Sequence, residues 1–227
     1  MASEREQDES YRRIWQGFRA VTSVADGRHD TDDWRSRRGP FAIALVRVPS
    51  SAMQPDLDRL RGDLAPFPFV RSHPDGFHHI TLQELGFLVD VPSRQDEINQ
   101  TRLEEFTQAA AAAVSEREPF TLTIGGANSF QDAAFLEVHD GDALEPLHAR
   151  LLELAAIPRA PQFAYVPHLT VAHYTQDAPN HEVAAALSRW RTTVFGTIDV
   201  SEIEIATLRV DEPYPPLEPW AVLPLGR

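Results

Sequence analysis

The chain has 227 residues, 42% of them hydrophobic, and a formal net charge of −13. That length and apolar content suit one domain or two small lobes around a real core, and the acidic balance argues against coating a long duplex nucleic acid, which favours a basic surface. There is no cysteine and no lysine, all 21 basic residues being arginine, so disulfides, thiolate metal sites, a cysteine nucleophile and lysine-adduct chemistry are excluded.

No apolar run reaches the roughly 18 residues that a membrane span needs. The opening MASEREQDES lacks the apolar core of a secretory signal. A cytoplasmic protein with no membrane partner is the expectation.

Residues 1–39 read as an extension, and 40–227 as the main domain. Ser10 to Val24 carries Tyr11, Ile14, Trp15, Phe18 and Val21 at helical spacing. The simplest role for such a helix is a brace on the domain, with a lid or partner site as the alternative. Gly27 to Pro40 is a charged, turn-rich connector. Phe41 to Pro49 is apolar at nearly every position, as in a strand buried on both faces. Pro55 to Leu64 reads as a helix and Phe77 to Leu85 as a strand. Thr101 to Arg117 is a helix with alanines at 109–113 suited to close packing. Pro119 to Gly125 and Ala134 to His139 are strands, with Gly126 to Asp132 as the hairpin loop and Gly125-Gly126 as a turn. Asp142 to Ala156 is a leucine-rich helix, Tyr165 to Tyr174 a strand, and Asn180 to Trp190 a helix that Asn180 caps. Thr192 to Val210 holds one or two strands, and Pro219 to Leu225 the last. Helices alternate with strands, but several strands are consecutive, which favours an α+β fold over a purely parallel sheet.

Two strings carry chemistry. One is His79-Ile80-Thr81-Leu82 and the other His168-Leu169-Thr170-Val171, their histidines 89 residues apart. Each falls in a predicted strand, where side chains alternate faces. His79 and Thr81 therefore share one face, and His168 and Thr170 another, with aliphatic residues behind each pair. Threonine hydroxyls can donate to phosphate oxygens. An imidazole can give or take a proton near neutrality. One such string arises readily by chance; two, both strand-borne, are far more specific.

The stretch His79-Ile80-Thr81-Leu82-Gln83-Glu84-Leu85-Gly86 and the stretch Pro167-His168-Leu169-Thr170-Val171-Ala172 resemble the paired His-x-Thr/Ser signatures of the 2H phosphoesterase superfamily. The nearest resemblance is to its branch of 2′–5′ RNA ligases and RNA 2′,3′-cyclic phosphodiesterases. It covers about residues 40–226, and Phe41 to Pro49 is similar to the family's first strand. It implies a bilobal, pseudo-symmetric α+β fold, with two antiparallel-rich sheets lining a central cleft and helices outside. It also implies a catalytic set of His79, Thr81, His168 and Thr170. One histidine would be general base and the other general acid, with the base assigned to His168 and the acid to His79. No metal and no cofactor would be needed. The implied partner is a nucleotide or short RNA bearing a cyclic phosphate end. The branch often has a basic residue just after each signature; Gln83 and His173 stand near those places here. Gln83 shares the His79 face by alternation, whereas His173 falls opposite His168 unless the strand bends.

Phe77, Tyr165 and Phe163 flank the signatures and are candidate base-stacking groups, though core packing is the commoner role for such residues. Arg71 and Arg159 are candidate phosphate contacts, and Tyr174 is a weaker candidate. With Gln83, the substrate-binding set is Gln83, Phe77, Tyr165 and Arg71. His78 points away from His79 and reads as structural. His73, His78 and His79 do not converge as a metal site, and His139 and His148 read as surface or packing residues. A phosphate- or RNA-end-binding module without turnover, an RNA 2′–5′ ligase and a metal-dependent hydrolase are the alternatives.

Overall fold

The computed structural model describes residues 4–28, 31–157 and 164–226; Arg159 and Phe163 lie outside them. The chain opens with α1 (Glu4–Ala20), β1 (Ser23–Val24) and α2 (Asp32–Arg35). Next come β2 (Phe41–Arg47), α3 (Asp56–Leu64), β3 (Val70–Ser72), β4 (His79–Leu88), β5 (Glu97–Ile98) and α4 (Gln100–Val114). The second half holds β6 (Phe120–Ser129), β7 (Ala133–His139), α5 (Leu144–Ala155), β8 (His168–Tyr174), β9 (Ala178–Pro179) and α6 (His181–Ser188). It closes with β10 (Gly196–Val200), β11 (Glu202–Leu208) and β12 (Glu218–Pro224).

Among the described residues the strands form two five-stranded sheets and a two-stranded ribbon. The first sheet has the order β12-β11-β2-β4-β5, the second β10-β6-β7-β8-β3, and β1 pairs with β9. Every pairing is antiparallel except β4 with β5. The α+β reading and the bilobal architecture hold. The lobes exchange strands, however: β3 from the first half joins the second sheet, and β11 and β12 from the second half join the first.

The sequence of β2 shows why the first sheet has two buried faces. Ala42, Ala44 and Val46 join the main core under the helices. Phe41, Ile43 and Leu45 join a smaller apolar cluster with Phe77 and Phe87 on the opposite side. The main core is continuous through both lobes and includes Leu103 and Phe106 of α4 and Leu147 and Leu151 of α5. Each such side chain contributes about 1.5–3 kcal/mol by leaving water. Asn99 caps α4, its side chain accepting the Arg102 N–H at 2.9 Å.

Helix α1 begins at Glu4, ends at Ala20, and packs on β6, β7 and α6. Its Tyr11 hydroxyl lies 2.6 Å from the Pro167 carbonyl and 2.8 Å from that of Val138. Asn180 does not cap α6 with its side chain. Its amide instead donates to the carbonyls of Phe18 and Val21, 2.7 and 2.9 Å away, tying α6 to the end of α1.

The glycine pair is not a turn. Gly125 and Gly126 lie within β6, at a register shift against β7 between Ile124 and Ala127. A Cβ on Gly126 would come 2.0 Å from the Arg191 carbonyl oxygen, so close approach of another backbone, rather than chain reversal, calls for glycine there. The reversal falls after Ser129.

Candidate active site

Strands β4 and β8 belong to different sheets yet approach within 8 Å (Cα to Cα) where the lobes meet. His79 and His168 each begin one of these strands. A cavity of about 580 Å³ opens between the sheets, and His79, Thr81, His168 and Thr170 all line it.

The two rings are held in the same way. His79 Nδ1 lies 2.7 Å from the carbonyl of Phe77, and His168 Nδ1 lies 2.8 Å from that of Val166, each two residues upstream. A carbonyl only accepts, so Nδ1 carries the proton and Nε2 is the basic nitrogen of each neutral ring. Aromatic edges complete the seating. Phe77 meets His79 edge-on at 5.3 Å, and Phe130 and Phe135 meet His168 at 5.1 and 5.5 Å.

The environments differ. Burial holds the His168 pKa below the usual imidazole value, outweighing the Val166 carbonyl and Asp132, which favour its charged form. Beside His168, β7 places Glu137, which is held by Asn128 and Arg191. Beside His79, β2 places Arg47, paired with Glu204 at 2.7 Å. Both flanking charges are thus neutralised by protein partners.

Each signature strand carries a bulge directly after its threonine. Leu45 pairs with Thr81 but Ala44 with Gln83, leaving Leu82 as the extra residue. Phe135 pairs with Thr170 but Ala134 with Ala172, leaving Val171 extra. A bulge breaks the two-residue alternation. Glu84, opposite Ile43, therefore takes the cleft-facing register that strict alternation gives to Gln83. Gln83 still borders the cavity, buried, with its amide nitrogen donating to the Glu84 carbonyl at 2.7 Å. His173 is re-aimed by the Val171 bulge to the same side as His168, and it too lines the cavity. There its Nδ1 sits 3.1 Å from Nε2 of His73, another buried cavity-lining imidazole.

Other flanking residues divide. Phe77 is buried, and by its ring and its carbonyl it positions His79. Tyr165 precedes β8 instead of opening it, and its hydroxyl donates to the Thr81 carbonyl at 3.0 Å. The Tyr165 ring is stacked on His148, 4.1 Å away and nearly parallel. His148 Nδ1 reaches the Leu82 carbonyl at 2.6 Å, so of the two readings, surface or packing, the packing one holds, and the packed ring also lines the cavity. The signal was present in α5, where 148 falls on the same stripe as Leu144, Leu147 and Leu151. The Arg71 guanidinium lies over the Tyr214 ring at 5.9 Å, outside the cavity lining. Tyr174 is buried, with its hydroxyl 2.7 Å from Ser129 Oγ, and has no place in the cleft. His78 points away, buried beside Ser50; burial first and Arg61 second push its pKa down to about 4. His139 packs against Tyr11 and lies 3.5 Å from Asp8. Among the described residues no three His, Asp or Glu side chains converge as a metal site, and no helix is long and apolar enough to cross a membrane.

Two sheets meeting at a cleft, each supplying one His-x-Thr strand, define the architecture of the 2H phosphoesterase superfamily. The family model of the 2′-5′ RNA ligase superfamily matches residues 48–212, and the chain belongs to that family. The fold is similar to that of TT0787 from Thermus thermophilus, with a TM-score of 0.60, 18% identity, and coverage of 82% of this chain and 99% of that one. It is also similar to E. coli LigT complexed with 3′-AMP, with a TM-score of 0.59, 15% identity, and coverage of 84% and 100%. A Geobacillus thermodenitrificans protein named "Putative phosphoesterase" is 29% identical over 96 residues, a match spanning 41% of this chain and 53% of that protein.

Proposed function

We propose that the protein is a metal-independent phosphodiester hydrolase acting on 2′,3′-cyclic phosphates of nucleotides or short RNA ends. Water attacks phosphorus in line and gives its proton to Nε2 of His168. The bond from phosphorus to one ribose oxygen breaks, and His79 protonates that oxygen as it leaves. Thr81 and Thr170 donate to the non-bridging oxygens, where charge builds in the transition state. The observation that carries this reading is the matched anchoring of two imidazoles in one cavity, each by Nδ1 on the carbonyl two residues upstream. The depressed pKa of His168 supports its assignment as the base, because it starts neutral near pH 7. That E. coli LigT has been crystallised with 3′-AMP and with ATP supports a nucleotide-sized ligand.

The test is turnover of 2′,3′-cyclic nucleotides in excess chelator. The wild type is expected to hydrolyse them, and His79→Ala and His168→Ala each to fall by about 10²- to 10⁴-fold. Loss of activity on chelation points to a metal-dependent hydrolase. Nucleotide binding without turnover in the wild type points to a binding module. Undiminished turnover in either variant contradicts the acid–base pair.

A further inference from the structure

The 1–39 segment also reaches the cavity between the sheets. Trp34 of α2 lies upstream of the family match at 48–212, yet it lines the same cavity as His79, Thr81 and His168. Its indole is half-buried and packs on Phe41 at 5.3 Å and Phe87 at 5.5 Å. The segment that delivers it is fixed to the edge of the first sheet. Arg37 pairs with Asp96 at 2.7 Å and lies over the Phe87 ring at 5.2 Å. The Leu88 N–H donates to the Pro40 carbonyl at 2.8 Å. Gly39 has a φ of +73°, and a Cβ there would come 1.8 Å from the Leu88 carbonyl oxygen; only glycine seats the backbone this closely.

A second cavity, of about 240 Å³, shares Trp34, Phe41 and Glu84 with the first and is lined also by Asp33 and Asp96. Among the described residues that line it, a further phosphate would meet three carboxylates and one arginine, Arg37, which is already paired with Asp96. A neutral aromatic ring would meet no such opposition, and the Trp34 indole lines the cavity that holds the histidines.

We propose that Trp34 is the nucleobase platform of this site, so that the occupant is a single nucleotide whose base stacks on the indole while its phosphate lies between the histidines. This rests on the hydrolase reading for the chemistry only, since stacking is measurable without turnover. The experiment is calorimetric titration of the full chain with adenosine 3′-monophosphate and, as the base-free probe, ribose 5-phosphate. Wild-type protein is expected to bind the nucleotide more tightly. Trp34→Ala is expected to weaken the nucleotide about tenfold and leave ribose 5-phosphate unchanged. With 2′,3′-cyclic AMP as substrate, KM rises by the same factor and kcat stays within about twofold. Should Trp34→Ala fail to fold, Trp34→Leu, which fills the space beside Phe41 and Phe87 without a π face, carries the same expectation. Equal losses with both ligands, no loss with the nucleotide, or wild-type affinity no greater for the nucleotide than for ribose 5-phosphate overturns the proposal. Absence of turnover in the wild type would sink the hydrolase reading alone, and the binding contrast would still decide the platform.

Discussion

The two signature strands differ more in their surroundings than in their geometry. Both rings hang from the carbonyl two residues upstream, and both strands bulge after the threonine. Yet His168 sits between two phenylalanine edges and His79 against one. At the next cleft-facing position the first strand places Glu84 and the second His173. In the proposed hydrolase, near-identical geometry would bring two proton carriers to one substrate, and unequal surroundings would separate their roles. Burial lowers the pKa of His168, the direction that a base starting neutral requires.

Breaking the symmetric part should cost most. Thr81→Val and Thr170→Val each remove one hydroxyl donor, and each is expected to lower kcat about 10²- to 10³-fold. Steady-state kinetics on a cyclic nucleotide would check this; a large loss in one variant and none in the other would show that only one half holds the phosphate.

The neighbours His78 and His79 sharpen the contrast between a histidine buried in packing and one that lines the cleft. His78, with a pKa near 4 in the fold, regains an ordinary value of about 6.5 on unfolding. The unfolded chain then binds more protons, so stability falls as pH drops through 6.5 towards 4, by about 3 kcal/mol in all. Denaturant unfolding at pH 7 and pH 4 measures it, and His78→Asn should flatten that dependence. An unchanged slope in the variant would remove His78 as its source.

A smaller effect separates the two strands' supports. Tyr11→Phe removes the hydroxyl that touches the Pro167 carbonyl just before His168 and that accepts the Val138 N–H. The expected cost is about 1–3 kcal/mol of stability, because buried groups lose their partner. Tyr165→Phe removes a single bond to the Thr81 carbonyl, for about 1 kcal/mol. Thermal or chemical denaturation of both variants gives the comparison, and equal losses would mean that the first half is braced as firmly as the second.

Much of this was legible in the sequence, because periodicity and composition report it. The apolar run of β2, the leucines of α5 and the two His-x-Thr pairs fell where those signals put them. Strands of two or three residues, such as β3, β5 and β9, carry no readable period. The bulges at Leu82 and Val171 leave no local mark either, so the faces of Gln83 and His173 were assigned by an alternation that the backbone interrupts. The Gly125-Gly126 pair looked like a turn because close approach of Arg191 is a tertiary fact. Trp34 lies in a connector rich in charge and turn residues, where nothing local signals that its ring reaches the cavity.

The account depends most on unequal roles for the two rings, and the pH dependence of kcat/KM tests it most directly. A bell is expected in the wild type. Its acid limb, set by the depressed His168, should vanish in His168→Ala, and its alkaline limb should vanish in His79→Ala. A limb that survives the loss of its own imidazole would contradict the assignment.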